Sequence, residues 1–156
     1  MNKSKLKTYG ISILIAEAVG AVAGFVTSSG MEQYASAEKP ALSPPEILFP
    51  IVWTILYALM GISSARIYLA PGGRNRSVSL ILYGIQLVLN FFWSFIFFSL
   101  QAYGFAFFWL LALFAVIVAM TLVFRKVDKT AALMQIPYIL WVAFALYLNF
   151  MVWRLN

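Results

Sequence analysis

Residues 104–124 read GFAFFWLLALFAVIVAMTLVF, a run with no ionisable side chain and no alternation of apolar with polar positions. A hydrocarbon core about 30 Å thick needs about 20 residues of helix, because backbone N–H and C=O groups cannot be left unpaired in lipid. The rival spanning structure is a transmembrane barrel, whose strands alternate over about ten residues. Neither this run nor Phe91-Phe92-Trp93 alternates. The run therefore reads as a membrane-spanning helix, and working outward from it, 9–28, 46–69, 78–101 and 131–153 read the same way.

Composition agrees. The chain has 156 residues, 63% apolar and 10% charged, with a mean hydropathy of +0.91, where soluble domains are about 45–50% apolar and about 25% charged. So few charges cannot solvate a globular surface, which excludes a water-soluble domain. The expected fold is all-α, an integral membrane bundle of five transmembrane helices forming a single domain over residues 1–156. Turn chemistry marks the breaks: Lys39-Pro40, Ser43-Pro44-Pro45, Pro71-Gly72-Gly73, Tyr103-Gly104 and the segment from Arg125 to Lys129. The first apolar run, preceded by Lys3, Lys5 and Lys7 and containing Ala21-Val22-Ala23, has a signal peptide as its alternative. Its length and its internal Glu17 favour a span.

With five spans, Lys3, Lys5, Lys7, Arg66, Arg74, Arg76, Arg125, Lys126 and Lys129 fall on one side and only Lys39 and Arg154 on the other. The positive-inside rule then predicts a cytoplasmic N-terminus, with an organellar membrane as the case in which that sidedness changes. The net charge of +6 is thereby accounted for as topology. Nucleic-acid binding would need those charges clustered on one folded basic face. An odd span count does not divide into inverted halves of the kind found in many secondary transporters. No His and no Cys are present, which removes the usual zinc, thiol and haem-ligand chemistry, and no metal site is expected.

Residues at i, i+3, i+4 and i+7 share a helix face. Trp53, Tyr57, Met60, Gly61 and Ser64 align on the second span, Gln86, Asn90, Trp93 and Ser94 on the third, and Tyr138, Trp141, Ala145 and Asn149 on the fifth. All three faces lie between mid-membrane and the outer leaflet, where they can line one cavity. Gln86 and Asn90 must face protein, water or ligand, since an unpaired amide in hydrocarbon costs about 4–8 kcal/mol on the harshest scale. Interhelical glue and ligand anchor are both open readings for them. Trp109 and Trp153, near span ends, read as interfacial belt. Glu17 is a carboxyl within a span that Arg66 could reach, or else one that stays neutral or snorkels. Gly20 and Gly24 form a GxxxG, suited to a homodimer face or to close packing within one copy. The proline-stiffened connection over 29–45 reads as a lid above the aromatic pocket, with an ordinary solvated loop as its alternative.

Four segments carry a resemblance. They are Lys39-Pro40-x-x-Ser43-Pro44-Pro45; Pro50-x-Val52-Trp53-Thr54-x-Leu56-Tyr57-x-x-Met60-Gly61; Gln86-Leu87-x-Leu89-Asn90-Phe91-x-Trp93; and Pro137-Tyr138-x-x-Trp141-x-x-Phe144-Ala145-x-x-Leu148-Asn149-x-x-x-Trp153-Arg154. In their order and spacing the chain resembles the TspO/MBR family, the tryptophan-rich sensory proteins that include the animal mitochondrial translocator protein, or peripheral benzodiazepine receptor. The resemblance implies a five-helix bundle, often a homodimer, whose pocket binds tetrapyrroles such as protoporphyrin IX, benzodiazepine-site and other drug-like apolar ligands and, in animal members, cholesterol. It also implies light- and oxygen-dependent breakdown of protoporphyrin, with Trp53 and Trp141 in the catalytic positions. No further cofactor is implied.

Carried over by position, the ligand-binding residues are Tyr34, Pro44, Tyr57, Asn90, Trp93, Ser94, Tyr138 and Ala145. A porphyrin or small-lipophile transporter, or a stress sensor that binds without chemistry, is the alternative function. Two departures stand out. Phe150 occupies the tyrosine position of the animal sterol motif, which leaves sterol binding unsupported. The third-span GxxxG of animal members falls on Ile81 and Ile85, so Gly20 with Gly24 becomes the candidate dimer face.

Overall fold

The computed structural model describes residues 2–156. Its helices are α1 (Lys3–Val26), α2 (Ser28–Ser36), α3 (Leu48–Leu69), α4 (Arg74–Ser94), α5 (Tyr103–Val127), α6 (Lys129–Leu133) and α7 (Ile136–Leu155), with a π-helical turn, Phe95–Ser99, continuing α4. Five helical stretches are long and apolar enough to cross a membrane: Lys3–Val26, Leu48–Leu69, Arg74–Ser99, Tyr103–Val127 and Lys129–Leu155. The expected all-α bundle of five spans is therefore the fold.

The elements follow from local chemistry. Asn2 caps α1 by accepting from the Lys5 amide at 2.8 Å. Pro50 falls in the first turn of α3, where a missing N–H costs no helical bond. Gly73 holds the N-cap of α4 at φ 155°, a conformation open essentially to glycine alone. The fifth span is interrupted, because Pro137 lacks an N–H and crowds the preceding turn. The chain therefore runs as α6, turns at Met134 and Gln135, and restarts as α7 with proline in its first turn.

Inside the bundle, α5 supplies the most regular stripe: Leu110, Leu113, Ile117, Met120 and Phe124, all buried, at alternating spacings of three and four. Met60 and Ile67 of α3 and Tyr138 and Val142 of α7 complete the centre. Outward-facing positions are equally apolar: Leu14, Phe25, Ile81, Phe105, Phe108 and Leu140 are exposed. Such a surface suits lipid as solvent. Helix α1 packs along α3, with Gly61 directly beneath the Ile13 backbone, where any Cβ would collide. Along α4 runs α5, and α7 packs on α5.

Two expectations about local structure change here. The connection over 29–45 is not a loop throughout, since its first part is α2. Arg66 does not reach Glu17. Its Nη2 lies 3.1 Å from Asp128 Oδ2 and its Nε donates to Oδ1 at 3.2 Å, tying the end of α3 to the start of α6.

Candidate functional site

A cavity of about 640 Å³ opens at the α2 end of the bundle, framed by α1, α2, α3, the end of α4 with its π turn, and α7. Seven of the sequence-expected site residues line it: Trp53, Tyr57, Trp93, Ser94, Trp141 and Ala145 from the spans, and Tyr34 from α2. Helices α3 and α7 stand apart on this side and are bridged by rings. Phe49 meets Trp141 edge to face at 5.9 Å, and Trp53 meets Tyr138 at 6.2 Å. Trp53 also leans on Tyr57 at 5.7 Å. Aromatic walls of this kind favour flat apolar guests.

Asn90, Tyr138 and Pro44, also expected at the site, are not among the residues lining the cavity. Asn90 is 1% exposed and bonded through both its amide atoms: its Oδ1 accepts from Tyr57 Oη at 3.1 Å and its Nδ2 donates to Tyr138 Oη at 2.7 Å. Tyr138 then donates to Gln86 Oε1 at 2.7 Å, and Gln86 Nε2 reaches Met60 Sδ at 3.9 Å. This buried chain joins α3, α4 and α7 directly behind the cavity wall. Of the two readings open for Gln86 and Asn90, the structure has the interhelical one. Pro44 sits in the extended segment between α2 and α3, outside the lining.

Sequence reasoning also missed contributors. The π turn projects Phe97 and Phe98 together onto Tyr34, with ring centroids 5.5 Å away in both cases. A π turn cannot be read from helical periodicity, and both rings line the cavity. Phe49 and Met31 join them, and Asn149, expected on the cavity-facing side of the fifth span, lines the cavity too. Asn149 accepts from Trp93 Nε1 at 3.1 Å and donates to the Tyr103 carbonyl at 2.8 Å, fixing the Trp93 indole. Trp109, expected in the interfacial belt, donates to the Leu89 carbonyl at 2.8 Å and so ties α5 to α4. Trp153 stays at the surface, lying over Gly104.

The top of the cavity is α2. Gly30 rests on the Phe98 carbonyl with no room for a Cβ, and Tyr34 is buried among Phe49, Phe97 and Phe98. Burial pushes the Tyr34 phenol above its ordinary pKa, so it stays a neutral hydroxyl. Lys39 closes the C-terminus of α2 by donating to the carbonyls of Tyr34 at 3.0 Å, Ala35 at 2.9 Å and Ala37 at 3.2 Å. Of the two readings open for the Gly20/Gly24 stripe, homodimer face or close packing within one copy, Gly20 is placed for close packing against Tyr57. A Cβ on Gly20 would fall 2.5 Å from Tyr57 Cε2, whereas Gly24 faces open space, and both line the cavity.

The ionisable residues lining the cavity, tyrosines apart, are Glu17 and Glu46; no Lys or Arg does so. With no His or Cys in the chain, the lining offers carboxyl, indole, phenol and hydroxyl chemistry.

Residues 12–154 match the TspO/MBR family model. A tryptophan-rich protein TspO of Chlorobaculum tepidum is 39% identical, covering 100% of this chain and 99% of that protein. The human translocator protein is 36% identical over 91% of this chain and 86% of its own. A tryptophan-rich sensory protein of Cereibacter sphaeroides is 31% identical over 80% and 77%. With its five membrane-spanning helices and aromatic cavity, this is an integral membrane protein of the five-helix type. It belongs to the TspO/MBR family.

Proposed function

We propose that the cavity binds tetrapyrroles, with protoporphyrin IX as ligand and substrate, and that Trp53 and Trp141 promote its degradation in light and oxygen without a further cofactor. The observation that carries this is the convergence of both indoles on one apolar cavity of about 640 Å³. A flat macrocycle stacks on such walls, its carboxylates directed to the open mouth because Asn90 is occupied elsewhere. Under light an indole transfers one electron to the excited ring, leaving an indole radical cation and a porphyrin radical anion. The porphyrin radical anion passes its electron to dioxygen, giving superoxide and the neutral ring; the indole radical cation recovers an electron from that ring, and the resulting ring radical cation combines with superoxide, so that both oxygen atoms of dioxygen end on the opened product and the indole is restored.

The test is purified protein titrated with protoporphyrin IX, following tryptophan quenching in the dark and loss of the porphyrin absorption band under light. Trp53→Phe and Trp141→Phe are expected to retain saturable binding, with affinity changed by less than about tenfold, and to lose band bleaching. Bleaching at the parent rate in both variants would remove the indoles from the chemistry.

A second reading, transport or sensing of intact porphyrin, is favoured by the names of the relatives, which include translocator and sensory proteins. Uptake of unaltered porphyrin into sealed vesicles separates it from degradation. The arrangement of Lys and Arg supports a cytoplasmic N-terminus in a bacterial cytoplasmic membrane, which places the cavity mouth on the outer side.

A further inference from the structure

The cavity wall carries a carboxyl that the tetrapyrrole reading leaves unused. Glu17 lies on α1 one turn before Gly20, the residue that abuts Tyr57, and both residues line the cavity. Among the described residues it has no ion-pair partner, since Arg66 is held by Asp128 and Lys39 lies near Glu46. No Lys or Arg lines this cavity. A carboxyl within a membrane span is costly unless something compensates it, and a cationic guest in the cavity supplies such compensation. The same cavity is lined by Trp53, Tyr57 and Trp141, aromatic rings whose faces attract positive charge. Carboxylate and aromatic faces thus favour the same kind of guest, and that guest is not an anion.

We infer that Glu17 makes this cavity selective for lipophilic amines, seating a protonated nitrogen on its carboxylate while the apolar body packs against Trp53 and Trp141. The inference rests on the cavity being the ligand site, as proposed above, and adds a second ligand class to it. An amine ligand gains a charge-assisted hydrogen bond at Glu17 that a neutral isostere lacks. Carboxylates of a tetrapyrrole are by the same logic kept away from the Glu17 end and left at the mouth.

The test uses a matched pair of probes, 2-naphthyl-N,N-dimethylmethylamine and its carbon isostere 2-isobutylnaphthalene. Each is titrated against the full chain in zwitterionic nanodiscs by tryptophan quenching, with empty nanodiscs subtracted. The amine is expected to bind about tenfold tighter than the isostere. Glu17→Gln brings the two within about twofold while leaving isobutylnaphthalene binding intact, which also reports an intact cavity. Glu17→Asp keeps most of the preference, and Glu32→Gln, which removes the same charge from exposed α2 surface, keeps all of it. Equal affinities in the parent protein, or a preference that survives Glu17→Gln, overturns the inference. Protoporphyrin IX titrated into the same samples separates the two claims. If it fails to saturate while the amine preference depends on Glu17, the tetrapyrrole reading falls and this one stands. If it saturates and the amine shows no preference, the reverse holds.

Discussion

Asn90 shows what a single polar residue does in this bundle. From sequence it reads equally as glue or as ligand anchor, because helical spacing gives a face and says nothing of which neighbour the amide meets. In the structure it links helices, between Tyr57 and Tyr138. Asn90→Leu is expected to cost about 1–3 kcal/mol, since it orphans two buried hydroxyl contacts. A lower thermal midpoint in detergent, followed by helical circular dichroism, checks this, and an unchanged midpoint would contradict it. Trp53, Tyr57, Trp93 and Trp141 were legible as cavity-facing because each shares its face with other aromatic or small residues. Tyr138, on the same face as Trp141, was misplaced by that same logic, since its hydroxyl turns back into the bundle.

Among elements, α2 is the one the sequence concealed. Prolines at 40, 44 and 45 mark a stiff connection, and they obscure that the residues before them, Ser28–Ser36, are helical. The π turn is hidden for a related reason, as its extra residue shifts the phase that periodicity depends on. The two features meet where Gly30 touches Phe98, so the lid is a packed helix whose position is set by backbone contact. Gly30→Ala is expected to displace α2 and destabilise the fold by about 1–3 kcal/mol through overpacking. Lys39→Met removes three bonds that close α2 and is expected to speed proteolysis near Ser36 with the spans still helical. Limited proteolysis in nanodiscs measures both effects, and parent-like cleavage in both variants would show that α2 is held by something else.

For the whole molecule, span number and antiparallel order were legible because lipid leaves the backbone few options. The pairing at the basic end was not, since Arg66 had two carboxyls to choose from and only the fold brings Asp128 to it. Burial opposes ionisation of Asp128, but the Ala131 amide and the Arg66 guanidinium outweigh it and hold the carboxyl below its ordinary range. A depressed folded-state pKa contributes stability that is fully present above the unfolded value of about 3.9 and is lost as pH falls through the folded one. The parent protein should therefore lose stability below about pH 4 more steeply than Asp128→Asn, as followed by thermal melts across pH 3–6.

The proposed ligand site is the cavity between α1, α3 and α7, and Gly24 on its wall gives direct access to it. A Cβ added there meets nothing within 4 Å and Gly24 lines the cavity, so Gly24→Phe is expected to narrow the cavity. The decisive measurement is the dark affinity of protoporphyrin IX for the parent protein and for Gly24→Phe, by tryptophan quenching, with matched circular dichroism. The account predicts saturable binding to the parent and a loss of at least about tenfold in the variant. Equal affinity in two equally folded proteins would place the porphyrin elsewhere and contradict it.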